Sequence, residues 1–222
     1  MTLAKLCVVA GVGPGMGLAI GRRFAAEGYD IAMIARGAEA LEHYARELRN
    51  ERSNVQSFPA DLGDIMEMTS AFAEIRRRMG DPEVLVYNGA GWHQVSAMAM
   101  DPVVFTQDVA LSVTSALVCA QQVYPSMKAA AKGTMLFTGG GLALRPQFGS
   151  GASSLTAGKS ALRGLVHAMA GELAPDGIHV ATVTISGTVA VGTPFDPDII
   201  AKAYMDLHEQ PKRAWAVETI FS

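Results

Sequence analysis

The stretch Gly11-Val12-Gly13-Pro14-Gly15-Met16-Gly17 joins an apolar run at residues 6–10 to an amphipathic segment at residues 16–27. A short apolar run that ends at glycines predicts a strand buried on both faces, and the spacing after it predicts a helix. Glycines let the backbone turn sharply and approach a diphosphate, toward which the helix directs its free N–H groups. A glycine-rich turn without a ligand is the alternative, but the strand before it and the helix after it favour a dinucleotide site.

The alternation of strand and helix continues along the chain. Further strands are predicted at residues 31–35, 55–60, 84–87, 134–138, 180–185 and 217–221. Further helices are predicted at residues 38–50, 65–79, 102–131, with an interruption near Pro125, and 154–173. This order implies right-handed crossovers and one parallel sheet. We therefore expect a single Rossmann-type doubly wound α/β domain over residues 1–222, with about seven strands and helices on both faces.

Composition limits the classes of function. The chain has 222 residues, 50% of them hydrophobic, and a net charge of −3, which argues against a broad basic face for nucleic acid. Cys7 and Cys119 lie in apolar patterns without metal-ligand spacing, so we predict buried thiols, no disulfide and no metal site. No signal peptide is visible, and no run approaches the ~20 apolar residues of a membrane span. We expect a cytoplasmic protein with no nucleic-acid or membrane partner.

Six motifs, in order along the chain, resemble those of the short-chain dehydrogenase/reductase family. They are Gly11-x-x-x-Gly15-x-Gly17, Asp61-Leu62, Asn88-Gly89-Ala90-Gly91, Lys159, Gly177-Ile178-His179-Val180 and Ser186-Gly187-Thr188-Val189. In the family the first is the cofactor turn, the second contacts adenine, and the lysine belongs to a Y-x-x-x-K motif. The resemblance covers essentially the whole chain and implies an oxidoreductase of a small carbonyl or alcohol substrate that uses a nicotinamide cofactor.

The resemblance also implies which residues hold that cofactor. They are Gly11, Gly13, Gly15, Met16, Gly17, Arg36, Asp61, Leu62, Asn88, Gly89, Ala90, Lys159, Gly187 and Val189. At the end of the second strand, a carboxylate would accept hydrogen bonds from the adenosine ribose, but this chain has Arg36. A guanidinium pairs well with phosphate, so Arg36 favours NADP(H) over NAD(H). A solvated arginine at a strand end is the alternative.

Three of the family's four proton-relay groups are missing from the matching positions. Lys159 is present, but the tyrosine position four residues earlier holds Leu155. The serine position falls near Gly140, and the asparagine position falls near Ala110. In the family the tyrosine donates the proton, the serine polarises the carbonyl oxygen, the asparagine supports a water chain, and the lysine holds the nicotinamide ribose. Ordinary carbonyl reduction by that relay is therefore not expected.

Other side chains near the same sheet edge are candidates to move a proton. His93 follows the fourth strand, and histidine titrates near neutral pH, although a surface-loop histidine is an equally good interpretation. Ser154 precedes Leu155, but serine is also a common N-cap at the start of a helix. With Lys159, these two complete the candidate catalytic residues. Thr138 is a further hydroxyl near the missing serine.

The segment at about residues 190–210 stands where the family keeps a variable substrate lid. Its apolar residues are Phe195, Ile199, Ile200, Tyr204 and Met205, which suggest a hydrophobic substrate, although a core-packing helix explains the pattern equally well. The family's long helices also imply a homodimer or homotetramer. Two functions remain open: an NADP-dependent oxidoreductase with a non-standard proton donor, or a non-catalytic NADP-binding sensor or scaffold subunit. A cofactor-free relative is a distant third, because the glycine turn is intact.

Overall fold

The computed structural model describes residues 5–49 and 53–222. Its strands are β1 (Leu6–Ala10), β2 (Asp30–Ala35), β3 (Val55–Pro59), β4 (Val84–Tyr87), β5 (Gly133–Gly140), β6 (Ile178–Ile185) and β7 (Glu218–Phe221). Its α-helices are α1 (Met16–Ala26), α2 (Ala38–Leu48), α3 (Ile65–Met79), α4 (Pro102–Ala130), α5 (Ser153–Leu173) and α6 (Pro197–His208). Position 50, the end of the second predicted helix, lies outside the described residues.

The seven strands form one parallel sheet in the order β3-β2-β1-β4-β5-β6-β7. One hydrophobic cluster packs α1, α2 and α6 against one face, and a second packs α3, α4 and α5 against the other. The strand order reverses between β1 and β4, which is where ligands bind in open sheets of this kind. The prediction of a single doubly wound α/β domain is confirmed.

Besides shifts of one or two residues at the ends of other elements, two predicted elements differ from the structure. Helix α4 runs without interruption through Pro125, because this residue lies near the C-terminal end, where its missing N–H removes only one bond of a long ladder. Strand β5 extends beyond Thr138 to include Gly139 and Gly140, which pair with Thr184 and Ile185 of β6. Glycine is unfavourable in strands, but pairing with β6 keeps these two glycines in the strand. The serine position of the family's relay therefore lies on a strand end and not in a loop.

Helix α6 packs into the core. Ile200, Tyr204 and Met205 are buried against α1 and the sheet, whereas Ile199 faces outward and is 44% exposed. Of the two interpretations of this apolar pattern, core packing is the one that the structure shows for the helix. Only the short loop before it, which contains Phe195, is left as a candidate lid.

Both cysteines are buried and free, as predicted. By length and apolar composition alone, α4 could cross a membrane, and among the described residues it is the one helix of that kind. The expectation that no segment comes close to a membrane span is too broad, because it considered only uninterrupted apolar runs and α4 interleaves Ser, Thr and Gln. Core helices of soluble proteins pass the same test, and α4 packs on α5 and on strands β4 and β5.

Candidate active site

A cavity of about 360 Å³ opens at the carboxyl edge of the sheet, beside the point where the strand order reverses. Its lining comprises Gly11, Val12, Gly13, Gly15, Met16, Gly17, Ala35, Arg36, Asp61, Leu62, Asn88, Gly89, Ala90 and Leu111. Most of the residues predicted to hold a cofactor therefore lie together on one cavity. Gly187, Val189 and Lys159 do not line it.

The glycine turn fits a closely approaching anion. A Cβ atom on Gly17 would lie 2.6 Å from the Gly11 carbonyl oxygen, so glycine is required where the helix passes the turn. A Cβ atom on Gly13 or Gly15 would meet nothing within 4 Å. The side of the turn that faces the cavity is thus open space that ordinary side chains would fill. Helix α1 begins at Met16, directly behind it, with first-turn N–H groups that have no acceptor within the helix.

Asn88 holds the turn in place. Its side-chain Nδ2 donates to the Gly11 carbonyl oxygen at 2.9 Å, and its Oδ1 accepts from the Thr138 hydroxyl at 2.8 Å. The Thr138 hydroxyl also lies 2.7 Å from the hydroxyl of Tyr204, which is fully buried. This chain of bonds fixes the ends of β1, β4 and β5 relative to one another. Tyr204 is enclosed, so its phenol does not reach a ligand.

Arg36 directly follows the last residue of β2 and lines the cavity. Within the part of the chain that the structure describes, no carboxylate or carbonyl pairs with this side chain. Asp61, across the same cavity, accepts from the backbone N–H of Gly63 at 2.8 Å. The cavity therefore offers one unpaired cation at its β2 end, which suits a phosphate group.

A buried carboxylate connects the loop after β4 to helix α5. Asp108, on α4, is 5% exposed. Its Oδ2 accepts from the Ser154 hydroxyl at 2.7 Å and lies 3.0 Å from Nδ1 of His93. Because a carboxylate at this site accepts bonds, we assign the proton to Nδ1, which leaves Nε2 of His93 as the acceptor nitrogen. The His93 side chain is 61% exposed, so this nitrogen is accessible.

Close packing brings these groups together. A Cβ atom on Gly91 would lie 2.8 Å from the Asp108 carbonyl oxygen and from its Oδ1. The backbone of the loop that carries His93 therefore packs directly against the backbone of α4. A larger residue at position 91 would prevent this contact. The same loop contacts the start of α5, where the Val95 N–H donates to the Gly151 carbonyl oxygen at 3.1 Å.

Comparison with known proteins identifies the architecture. The family model described as short chain dehydrogenase matches residues 5–198. The chain belongs to the short-chain dehydrogenase/reductase family. It is 31% identical over 191 residues to the short chain dehydrogenase/reductase dmxR12 of a Cryptosporiopsis species, covering 78% of this chain and 73% of that protein.

A further relative and a solved structure of the same fold are also similar to this chain. Galactitol 2-dehydrogenase (L-tagatose-forming) of Cereibacter sphaeroides is 34% identical over 176 residues, covering 78% of this chain and 66% of that enzyme. A metagenomic short-chain oxidoreductase solved in complex with NADP has the same fold, with a TM-score of 0.86 and 24% identity. That likeness covers 99% of this chain and 98% of the solved one.

Lys159, which the sequence resemblance assigns to the family motif, is buried between α5 and β5. It is 7% exposed, and its Nζ donates to the Thr138 carbonyl oxygen at 2.7 Å. Burial lowers the pKa of Lys159 from 10.5 to about 8. No tyrosine hydroxyl or carboxylate lies against this amine among the described residues. The ammonium is therefore held without a counter-charge.

The positions of the other relay groups carry no hydroxyl or amide. Leu155 occupies the position four residues before Lys159, and Ala110 lies on α4 between the polar residues Asp108 and Ser112. A Cβ atom on Gly140 would lie 3.3 Å from Cγ of Lys159, so this strand end borders the lysine stem directly.

Ser154 is not the N-cap of its helix. Helix α5 begins at Ser153, its N-cap is Ala152, and no side chain caps it. Ser154 lies within the first turn and is fully buried, with its hydroxyl bonded to Asp108. The N-cap expectation is therefore wrong, because a buried carboxylate on the neighbouring helix competes for the same hydroxyl.

Asp108 is the site residue that the sequence reasoning missed. It shares a buried helical face with Ser112, Cys119 and Val123, which follow it at intervals of whole turns. An acidic residue on such an apolar face signals a buried carboxylate that requires partners. That signal was present in the sequence, although it does not specify which partners the fold supplies.

The Lys159 environment predicts a pH-dependent stability. Since its pKa is lower in the folded chain than in the unfolded chain, the unfolded chain binds this proton more tightly between pH 8 and pH 10.5. The buried charge of Lys159 destabilises the folded chain fully below pH 8, and this destabilisation disappears as the pH rises to 10.5. We expect Lys159→Met to raise the free energy of unfolding at pH 7 by up to about 3 kcal/mol, less the lost hydrogen bond.

Urea unfolding of the native sequence and of Lys159→Met at pH 7 and at pH 10 measures this effect. The difference between the two proteins should shrink at pH 10. Lys202→Met, which changes an exposed lysine on α6, is the matched control and should show no such trend. A difference for Lys159→Met that does not depend on pH contradicts the assignment of a desolvated ammonium.

Proposed function

We propose that this chain is an NADP(H)-dependent oxidoreductase of a small carbonyl or alcohol substrate, in which His93, oriented by Asp108, moves the proton. The observation that carries the proposal is the pairing of His93 Nδ1 with the buried Asp108 carboxylate at 3.0 Å, three residues along the chain from Ala90 of the cavity wall. A carboxylate that fixes the tautomer of a histidine and stabilises its protonated form is a recurrent device of acid–base catalysis.

The proposed cofactor contacts follow the cavity from end to end. The open face of the glycine turn and the N-terminus of α1 would bind the pyrophosphate, Arg36 the 2′-phosphate, and Asp61 and Leu62 the adenine. Asn88, Gly89 and Ala90 continue the wall toward the reacting end. Lys159, Gly187 and Val189 complete that end. A bound NADPH supplies the hydride.

Two observations support NADP(H) over NAD(H). The Arg36 guanidinium is free to pair with a phosphate, and the family relative of similar fold was solved in complex with NADP. A carboxylate at the same position would instead repel a 2′-phosphate.

The proposal gives Ser154 and Asp108 positioning roles. The Ser154 hydroxyl donates to Asp108 Oδ2 and is fully buried, so its proton is already engaged. Asp108 receives bonds from Ser154 and His93 on one carboxylate, which stabilises its charge inside the protein. His93 Nε2 then holds or accepts the proton that a substrate oxygen gains or loses.

A non-catalytic NADP-binding subunit is the second candidate function. It is favoured by Leu155 and Gly140, which place no titratable or polar side chain next to Lys159. In that case the intact glycine turn and Arg36 would serve binding alone, as in a sensor or a scaffold that pairs with an active relative.

We further propose that the chain works in the cytoplasm as a homodimer or homotetramer. The assembly is supported by helix α4, whose most apolar stretch is only 39% buried within one chain. Helices α4 and α5 of a second copy would cover that surface, and these are the helices that form the interface in the family.

Arg36→Glu tests the cofactor preference. Because a guanidinium–phosphate bond is exchanged for a like-charge contact, we expect NADPH to bind roughly 10- to 100-fold more weakly, with NADH binding unchanged or tighter. Isothermal titration calorimetry with each nucleotide measures the effect, with Arg46→Glu on the outer surface of α2 as the control. Equal affinity of the native chain for both nucleotides contradicts the preference.

His93→Ala tests the proton donor. We expect kcat/KM to fall by about 10²- to 10⁴-fold, which is the usual contribution of general acid–base catalysis, while the NADPH Kd stays unchanged. NADPH oxidation with a panel of aldehydes, ketones and quinones provides the assay, and His43→Ala on α2 is the matched control.

The same assay separates the two candidate functions. Asp108→Asn should lower kcat without changing the NADPH Kd, since it alters the hydrogen bond that orients His93 and not the cofactor cavity. Full activity in His93→Ala eliminates this histidine as the donor. Tight NADPH binding with no turnover of any substrate in the native chain favours the non-catalytic subunit.

A further inference from the structure

A second cavity, of about 290 Å³, lies next to the reacting end of the first. It is lined by Gly141, Leu142, Arg145, Phe148, Ile185, Ser186 and Gly187. Arg145 is the only charged side chain in this lining. In the described ranges 5–49 and 53–222, its guanidinium has no hydrogen-bond or ion-pair partner, and neither does the Ser186 hydroxyl.

The chain path connects this cavity to Lys159. Gly140, at the end of β5, borders Cγ of Lys159, and the next residue, Gly141, is the first of the cavity lining. Ser186 and Gly187 follow β6, the strand paired with β5. A molecule in this cavity therefore lies against the two strand ends that flank the lysine.

The lining combines one cation with apolar surface. Phe148 is 69% exposed, although large aromatic side chains are normally covered, and Leu142 and Ile185 contribute further apolar wall. A free guanidinium pairs with an oxyanion through two parallel hydrogen bonds. Since the lining supplies one positive charge and no second cation, a group with one negative charge matches it better than a doubly charged phosphate.

We propose that this cavity is the substrate site and that Arg145 binds a substrate carboxylate, so that the substrates are oxo or hydroxy acids with an apolar or aromatic group. Ser186 adds a hydroxyl for the same carboxylate, and Phe148 covers the apolar group. This substrate class rests on the proposed oxidoreductase function, and it refines the expectation of a hydrophobic substrate by adding a fixed anion.

Matched acids and esters test the substrate class. Benzoylformate and 3-benzoylpropionate are compared with their methyl esters as oxidants of NADPH, in the native chain, Arg145→Gln and Arg145→Lys. We expect Arg145→Gln to lower kcat/KM for the acids about 10- to 100-fold and to leave the esters within about two-fold, because only the acids lose a charged hydrogen bond. Arg145→Lys keeps the charge, so its kcat/KM for the acids should lie between those of the native chain and of Arg145→Gln.

Lys202→Gln removes an exposed cation of α6 that does not line the cavity, and it should change the kcat/KM of neither the acids nor the esters. An equal effect of Arg145→Gln on acids and esters overturns the proposal, and so does a larger effect on benzoylphosphonate than on benzoylformate. Calorimetry of benzoylformate binding to the protein loaded with NADP⁺, which has no hydride to transfer, keeps this result separate from the proposed function. Arg145-dependent binding without turnover supports the site while rejecting the oxidoreductase. Turnover of acids and esters that does not depend on Arg145 supports the oxidoreductase and rejects the carboxylate site.

Discussion

The bond from the Asn88 side chain to the Gly11 carbonyl oxygen holds the functional edge of this protein together. It joins the end of β4 to the glycine turn after β1, at the point where the strand order reverses. Through its other side-chain atom, Asn88 also bonds Thr138 at the end of β5. Three strand ends are thereby fixed around one cavity. The glycine turn, Arg36 and the first residues of α1 line that same cavity.

Two buried ionisable groups lie beyond this edge, and they are stabilised very differently. Asp108 accepts bonds from Ser154 and His93, so its charge is well satisfied despite its burial. Lys159 has one carbonyl partner and no counter-charge, and burial lowers its pKa to about 8. The resemblance to the family predicts a tyrosine beside this lysine, at the position where the chain has Leu155. The proposed proton path has accordingly moved to the Asp108 side of the site, where an imidazole is oriented and accessible.

The sequence predicts the framework well, because buried parallel strands and amphipathic helices follow from local patterns. The bounds of β1, α3 and β4 agree with prediction residue by residue. The break expected at Pro125 fails for a local reason, because only one helical bond is lost near the end of a long helix. Two other misassignments occur where tertiary contacts override local preference, namely the N-cap expected at Ser154 and the early end of β5. Asp108 and Arg145 escaped notice for a related reason. Their roles depend on which helices and strand ends become neighbours, and residue spacing alone does not specify this.

Transfer of deuterium from NADPH labelled at its transferable position tests the central claim most directly. The native chain is mixed with labelled NADPH and a carbonyl substrate, and the alcohol product is analysed by mass spectrometry. A catalytic cavity with His93 as the proton donor predicts one deuterium per product molecule, with a strongly reduced yield in His93→Ala. Bound NADPH that leaves every carbonyl compound unlabelled contradicts the claim and identifies the chain as a binding protein only.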